Sequence, residues 1–217
     1  MFIGHFGVGF AGKKIVNKPS LGTLFFAAQF IDLIWPILLL LGIEHVEIDP
    51  GNTILTPLNF IHYPVSHSLF GVLIWGILFG ITYYLFKKDL KSSIVLGLLV
   101  LSHWVFDLFV HRPDLPLIPS SEMKVGMGLW NHPIISIVFE ILIFSAGIYF
   151  YMNSTKAKNK TGTYSLWGLI IFLFLIFVSN LFGPPPPSVE AIAVIGNLQW
   201  LIVLWGYWID RNREVIK

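Results

Sequence analysis

The chain has 217 residues, 55% of them hydrophobic and only 12% charged, with a formal charge of +2 and a mean hydropathy of +0.76. About a quarter of the residues of a globular domain are charged, so this composition belongs to a protein whose solvent is largely lipid. The near-neutral balance and the lack of a basic arm set nucleic acid aside, and the absence of cysteine excludes disulfides, thiolate zinc sites, cysteine nucleophiles and iron–sulfur ligation.

Met1 to Gly12 is apolar and glycine-rich, carries His5 and ends at Lys13-Lys14. It lacks the leading charge and small-residue cleavage site of a signal peptide. We expect it to be retained as a half-helix that starts within the membrane and reaches one face, since its rise is only ~17 Å. Six apolar stretches follow, at 21–43, 66–86, 92–111, 133–152, 164–182 and 189–209. Each has the roughly 20 residues needed to cross a hydrocarbon core of ~30 Å. The charged turn Lys87-Lys88-Asp89-Leu90-Lys91 ends the second, and Gly183 followed by Pro184 to Pro187 ends the fifth, because proline cannot continue a helix. The expected fold is therefore all-α: a polytopic membrane helix bundle of six transmembrane helices plus the N-terminal half-helix. It is read as a single integral membrane domain over 1–217, with a metal-site half at 1–152 and two further spans at 164–209.

Lysine and arginine collect before the first span, at 87–91, at 156–160 and at the C-terminus, which in a six-span chain all lie on one side. The other side receives the 44–65 loop, with Glu44, Glu47 and Asp49, then the 112–132 loop and the proline run. The positive-inside rule places the basic side, with the 87–91 and 153–163 loops and the C-terminus, in the cytoplasm of a bacterial cell, and the chain in its inner membrane.

Ionisable groups at membrane depth are costly unless they face a cavity, a partner or a metal. Counting ~1.5 Å per residue, Asp32 lies about 18 Å in from Ser20 and His103 about 18 Å in from Lys91, with Glu140 at a similar depth. Ser102-His103-x-x-x-Asp107 puts an imidazole and a carboxylate one helical turn apart on a stripe that continues to His111. His67 is expected in the first turn of the second span, a few ångströms above His103, and Asp114 near the mouth of the site. Such a set can ligate an ion, the carboxylate can orient the imidazole instead, or the pair can serve as interhelical glue. Gln29 is read as a hydrogen-bonding partner one turn from Asp32. His62 is either a ligand or a residue of a wet loop, and His45 and His132 are read as solvated. Ser68 is a weak nucleophile candidate, because its side chain points some 100° from that of its neighbour His67 on a helix. Imidazole and carboxylate without thiolate suit zinc foremost, or manganese or iron, and hydrolysis is the commonest use of such a site.

Gly4-His5, Gln29-x-x-Asp32, Ser66-His67-Ser68, Ser102-His103-x-x-x-Asp107 and Gly126-Met127-Gly128-Leu129-Trp130 resemble the bacterial family described as membrane-bound metal-dependent hydrolases. That family includes the LexA-regulated inner-membrane protein and is distantly similar to zinc-dependent phospholipase C. The resemblance extends over the whole chain, and it implies His5, Asp32, His67, His103 and Asp107 as metal ligands. Two strings depart from it: Gln29-Phe30-Ile31-Asp32-Leu33 stands where relatives have Asp-x-Asp-His, and His62-Tyr63-Pro64-Val65-Ser66-His67-Ser68 where they have His-Arg-Gly-x-Thr-His-Ser. A site so reduced can hold one ion in place of two, or none.

The expected function is metal-dependent hydrolysis of a phosphoester or related bond in a lipid or lipid-linked substrate drawn from the bilayer, with Glu140 or Asp114 as proton acceptor. The alternative is a transporter or proton-relay protein in which the same histidines and carboxylates titrate. A membrane scaffold is a third possibility.

Overall fold

The structure, a computed structural model, describes residues 1–119 and 123–216. Helices dominate, and five of them are long and apolar enough to cross a membrane: Leu69–Lys87 (α5), Leu90–Val110 (α6), Pro133–Ser154 (α7), Lys160–Phe182 (α8) and the stretch Val189–Arg211. The last has a slight break at Leu198 that divides it into α9 (Val189–Asn197) and α10 (Gln199–Arg211). Helix starts are written locally: Ser68, Asn159 and Ser188 each accept the backbone N–H three residues on, which satisfies a donor the helix itself leaves free. On α5 the residues Phe70, Leu73, Ile77, Ile81 and Leu85 are exposed, as suits a helix solvated by lipid.

The first expected span is corrected. It is not one helix over 21–43 but a pair, α2 (Leu21–Ala28) and α3 (Phe30–Leu40), bent by 58° at Gln29. Among the described residues the rung from the Asp32 N–H to the Ala28 carbonyl is not formed; that carbonyl accepts from His103 Nδ1 at 2.9 Å instead. The start of the second span is corrected too. His67 closes a separate single turn, α4 (Pro64–His67), because Ser68 is extended and caps α5.

The half-helix is α1 (Ile3–Ile15), buried along most of its length and lodged between α2, α6 and α7. Close approach to α7 depends on glycine at both surfaces, since a Cβ on Gly147 would stand 2.0 Å from the Gly7 carbonyl oxygen. The pair α5 and α6 meets in the same way at Gly76 and Gly97.

The basic groups gather at one end. Lys18 pairs with Asp89 at 3.3 Å and Lys13 with Asp210 at 2.7 Å. A ribbon of β5 (Thr155–Ala157) and β6 (Arg213–Val215) ties the 153–160 segment to the C-terminal segment. The opposite end carries two short ribbons, β1 (His45–Ile48) with β2 (Leu58–His62), and β3 (Leu115–Pro116) with β4 (Lys124–Val125).

Candidate metal centre

Four elements bring the stranded polar residues to one point. α1 contributes His5, α3 Asp32, α4 His67 and α6 both His103 and Asp107. The three imidazoles and Asp107 are buried, while the Asp32 side chain is 22% exposed. His103 Nε2 lies 3.2 Å from Asp107 Oδ2 and 3.5 Å from Asp32 Oδ1; His67 Nε2 lies 3.5 Å from Asp32 Oδ1 and 3.9 Å from Asp107 Oδ2.

Hydrogen bonds at the far side of each ring decide which nitrogen carries the proton. His103 Nδ1 faces the Ala28 carbonyl, which can only accept, so Nδ1 is the donor. His67 Nδ1 is 2.6 Å from Ser66 Oγ, and that hydroxyl donates to Glu44 Oε2 at 2.6 Å, so His67 Nδ1 must donate to it. Glu44 is fully buried, and its Oε1 accepts the backbone N–H groups of Val65 and Ser66 at 2.8 Å each. In the neutral rings both Nε2 atoms therefore present lone pairs to carboxylate oxygens, an arrangement that repels unless a cation lies between. His103 Nε2 is in fact buried without a hydrogen-bond partner.

Two triads have atoms close enough to share an ion: Asp32, His67 and His103, and His5, His103 and Asp107. The first suits a metal better. Its two imidazoles are inclined at 74° with centroids 5.8 Å apart, so both ring planes can contain one ion. In the second, His5 and His103 stack at 3.6 Å and 10°, and nearly parallel planes cannot share an in-plane ion. Ligands of a tetrahedral zinc with bonds of ~2.0–2.1 Å are separated by ~3.3 Å. The imidazole–carboxylate contacts of Asp32 with His67 and His103, 3.5 Å each, lie close to that spacing, and Asp107 Oδ2 stands 3.2 Å from His103 Nε2 without joining that triad. His5 Nε2 instead donates to Asp107 Oδ1 at 3.0 Å, and the Met1 nitrogen lies 2.8 Å from the same oxygen, which leaves Oδ2 facing the centre.

The remaining sequence candidates have other surroundings. Glu140 Oε2 accepts from the backbone N–H groups of Phe2 and Gly4 at the start of α1. Asp114 lies outside both triads; it accepts from Tyr63 Oη at 3.0 Å, His111 Nδ1 at 2.9 Å and Arg112 Nε at 3.2 Å. Burial, then the neighbouring Asp114, pushes the Tyr63 phenol well above its ordinary value, so it stays a donor. Burial likewise lowers the His111 imidazole below its usual value and keeps it neutral at pH 7. His111 thus belongs to the Asp114 cluster and not to the metal triads. His62 is exposed at the end of β2 opposite His45 and belongs to neither triad. Ser68 is corrected to a helix cap, with its hydroxyl donated to the Pro64 carbonyl and its oxygen accepting from Gly71. Gln29 is corrected as well: it sits at the bend, buried, and neither atom of its amide finds a partner among the described residues.

Glu44 is the residue that the sequence did not single out. It was visible only as one acid of a polar loop; its nearness to Ser66-His67 in three dimensions comes from the return of the chain through β1 and β2.

No solved structure matches the chain. The family described as YdjM inner membrane protein matches residues 3–183, a segment that contains every residue of the centre. By that match, and by its membrane-crossing helices, the chain belongs to the YdjM inner membrane protein family.

Proposed function

We propose that this protein is a metal-dependent hydrolase of the inner membrane, acting on a phosphoester or related bond of a lipid or lipid-linked substrate. The observation that carries the reading is the pair of imidazoles whose Nδ1 atoms are engaged elsewhere, so that His67 Nε2 and His103 Nε2 converge on Asp32 and Asp107 and, in the neutral rings, would offer lone pairs to an ion between them. We assign Asp32, His67 and His103 as the protein ligands of one divalent ion, zinc foremost, with Asp107 beside them against His103, in keeping with a chain that has fewer ligands than its relatives. When bound, such an ion supplies a Lewis acid and a water of lowered pKa.

The chain does the rest. His5 stacks on the His103 ring and holds Asp107 by its outer oxygen. Glu44, through Ser66, fixes the tautomer of His67. Asp32, the most exposed of the ligands, is where a substrate would meet the ion. Glu140 Oε1 makes no hydrogen bond among the described residues, which favours Glu140 over the fully engaged Asp114 as the proton acceptor. We further assign the basic end to the cytoplasm, on the lysine and arginine asymmetry.

Metal analysis of the purified protein tests the reading. One equivalent of zinc or manganese, lost in His103→Ala, is the expected result. A metal-free wild-type protein that supports proton-coupled flux would replace it with the transport reading.

A further inference from the structure

Among the described residues every lysine and arginine lies at the basic end except Arg112 and Lys124, and these two line one cavity of about 560 Å³ at the opposite end. Its walls also carry Asn59, Phe60 and Asp114. We propose that this cavity binds the phosphate of a membrane lipid headgroup, beside the candidate metal centre.

The guanidinium is held for that task. Arg112 Nε donates to Asp114 Oδ2 at 3.2 Å and Nη2 donates to Asn59 Oδ1, which fixes the plane, while Nη1 has no partner among the described residues. Among the described residues Lys124 Nζ makes a single 3.4 Å contact, with the Ile61 carbonyl at the surface. Asp114, the one acid among the described lining residues, has its oxygens occupied by Tyr63, His111 and Arg112, and Glu47 behind the wall accepts from Asn59. A fixed guanidinium fork with a free Nη1, beside an ammonium held by one long contact, matches the oxygens of a phosphate. Arg112 follows the C-terminal end of α6 by two residues, so it stands at the interface, the level at which lipid phosphates lie.

The cavity is also adjacent to the centre. Asp114 receives Tyr63 and His111, whose ring centroids lie 5.2 and 6.5 Å from that of His67. One aromatic layer thus divides a headgroup at Arg112 from a ligand of the proposed metal. The assignment of this phosphate as part of the substrate rests on the hydrolase reading; the binding itself does not.

The test uses the full chain in maltoside micelles, which contain no phosphate. Dioctanoyl phosphatidic acid, dioctanoylglycerol and inorganic phosphate are titrated separately. Phosphatidic acid should bind and dioctanoylglycerol should not. Lys124→Gln, at an exposed position with one long contact, should weaken phosphatidic acid about tenfold, Arg112→Gln more, and Arg112→Lys less than Arg112→Gln. Inorganic phosphate that binds as tightly as the lipid would keep the phosphate site but overturn the lipid source. Equal affinity of wild type and Lys124→Gln, both folded by circular dichroism, would overturn the site. His103→Ala separates the two readings: it should lose metal and keep phosphatidic acid. Metal-free wild type that binds the lipid sinks the hydrolase alone, and metal-loaded protein indifferent to the headgroup sinks this site alone.

Discussion

Two buried polar clusters sit in this bundle, and they differ in how completely their hydrogen bonds close. At the basic end Lys13 Nζ donates to Asp210 Oδ2 at 2.7 Å and to the Pro19 carbonyl, Tyr151 donates to Asp210 Oδ1, and the Leu21 N–H shares Oδ2. Each donor there meets an acceptor. In the interior cluster His103 Nε2 has no partner among the described residues. Burying a polar group unpaired costs about 1–3 kcal/mol, a cost that a bound ion would remove. The closed cluster is a fastening, and the open one is the candidate receptacle.

Substitutions sharpen that contrast. The largest effect is expected at the open cluster: His103→Ala should lower metal affinity about a hundred- to a thousandfold, because one of the three protein ligands shares in a binding energy of ~10–16 kcal/mol. Isothermal titration with zinc reads it directly, and retained affinity would remove His103 from the centre. Asp210→Asn should do the reverse. It strands the buried Lys13 ammonium, a loss of about 3 kcal/mol at the low end for broken buried pairs because Asp210 is 13% exposed, while the metal stoichiometry of the folded fraction stays unchanged. Thermal unfolding beside metal analysis separates the two effects.

A smaller change is expected from Glu44→Gln. The amide oxygen can still accept from Val65 and Ser66, but the amide nitrogen donates to Ser66 Oγ and turns its proton toward His67, which disfavours the ligating tautomer. Metal affinity should fall about ten- to a hundredfold with little change in melting temperature. A drop in stability with unaltered affinity would make Glu44 a loop anchor only.

The smallest effect is at the surface. Asp89 is held below its ordinary carboxyl value of 3.8, first by the Ser92 hydroxyl and then by Lys18. A group whose folded pKa is depressed stabilises the protein above its unfolded value and loses that contribution as pH falls through the folded one. Melting between pH 5 and below 3.8 should therefore be slightly less steep in Asp89→Asn than in wild type. Identical slopes would mean that the Ser92 and Lys18 contacts are not kept in solution.

Most of the helical frame was legible because hydropathy depends on composition, which a run such as 66–86 or 164–182 displays without ambiguity. Hydropathy is blind to direction, so the bend at Gln29 was hidden: it coincides with a carbonyl that turns toward a histidine 75 residues further on. His5, Asp32, His67, His103 and Asp107 were legible for the opposite reason, since a charge in an apolar run is conspicuous. Glu44 was not, because it stands among other acids in a polar loop and nothing local marks it as the buried one. Ser68 misled through its neighbour: on a continuous helix it would have been an odd companion to His67, whereas at a break it is an ordinary cap.

The bend carries a mechanical corollary. A single carbonyl, that of Ala28, can serve either as a rung of a straight helix or as the post against which the His103 ring is braced. Straightening the 21–40 segment would return that carbonyl to a rung and take the brace from the ring, so the curvature of this segment and the orientation of His103 are tied through one oxygen atom.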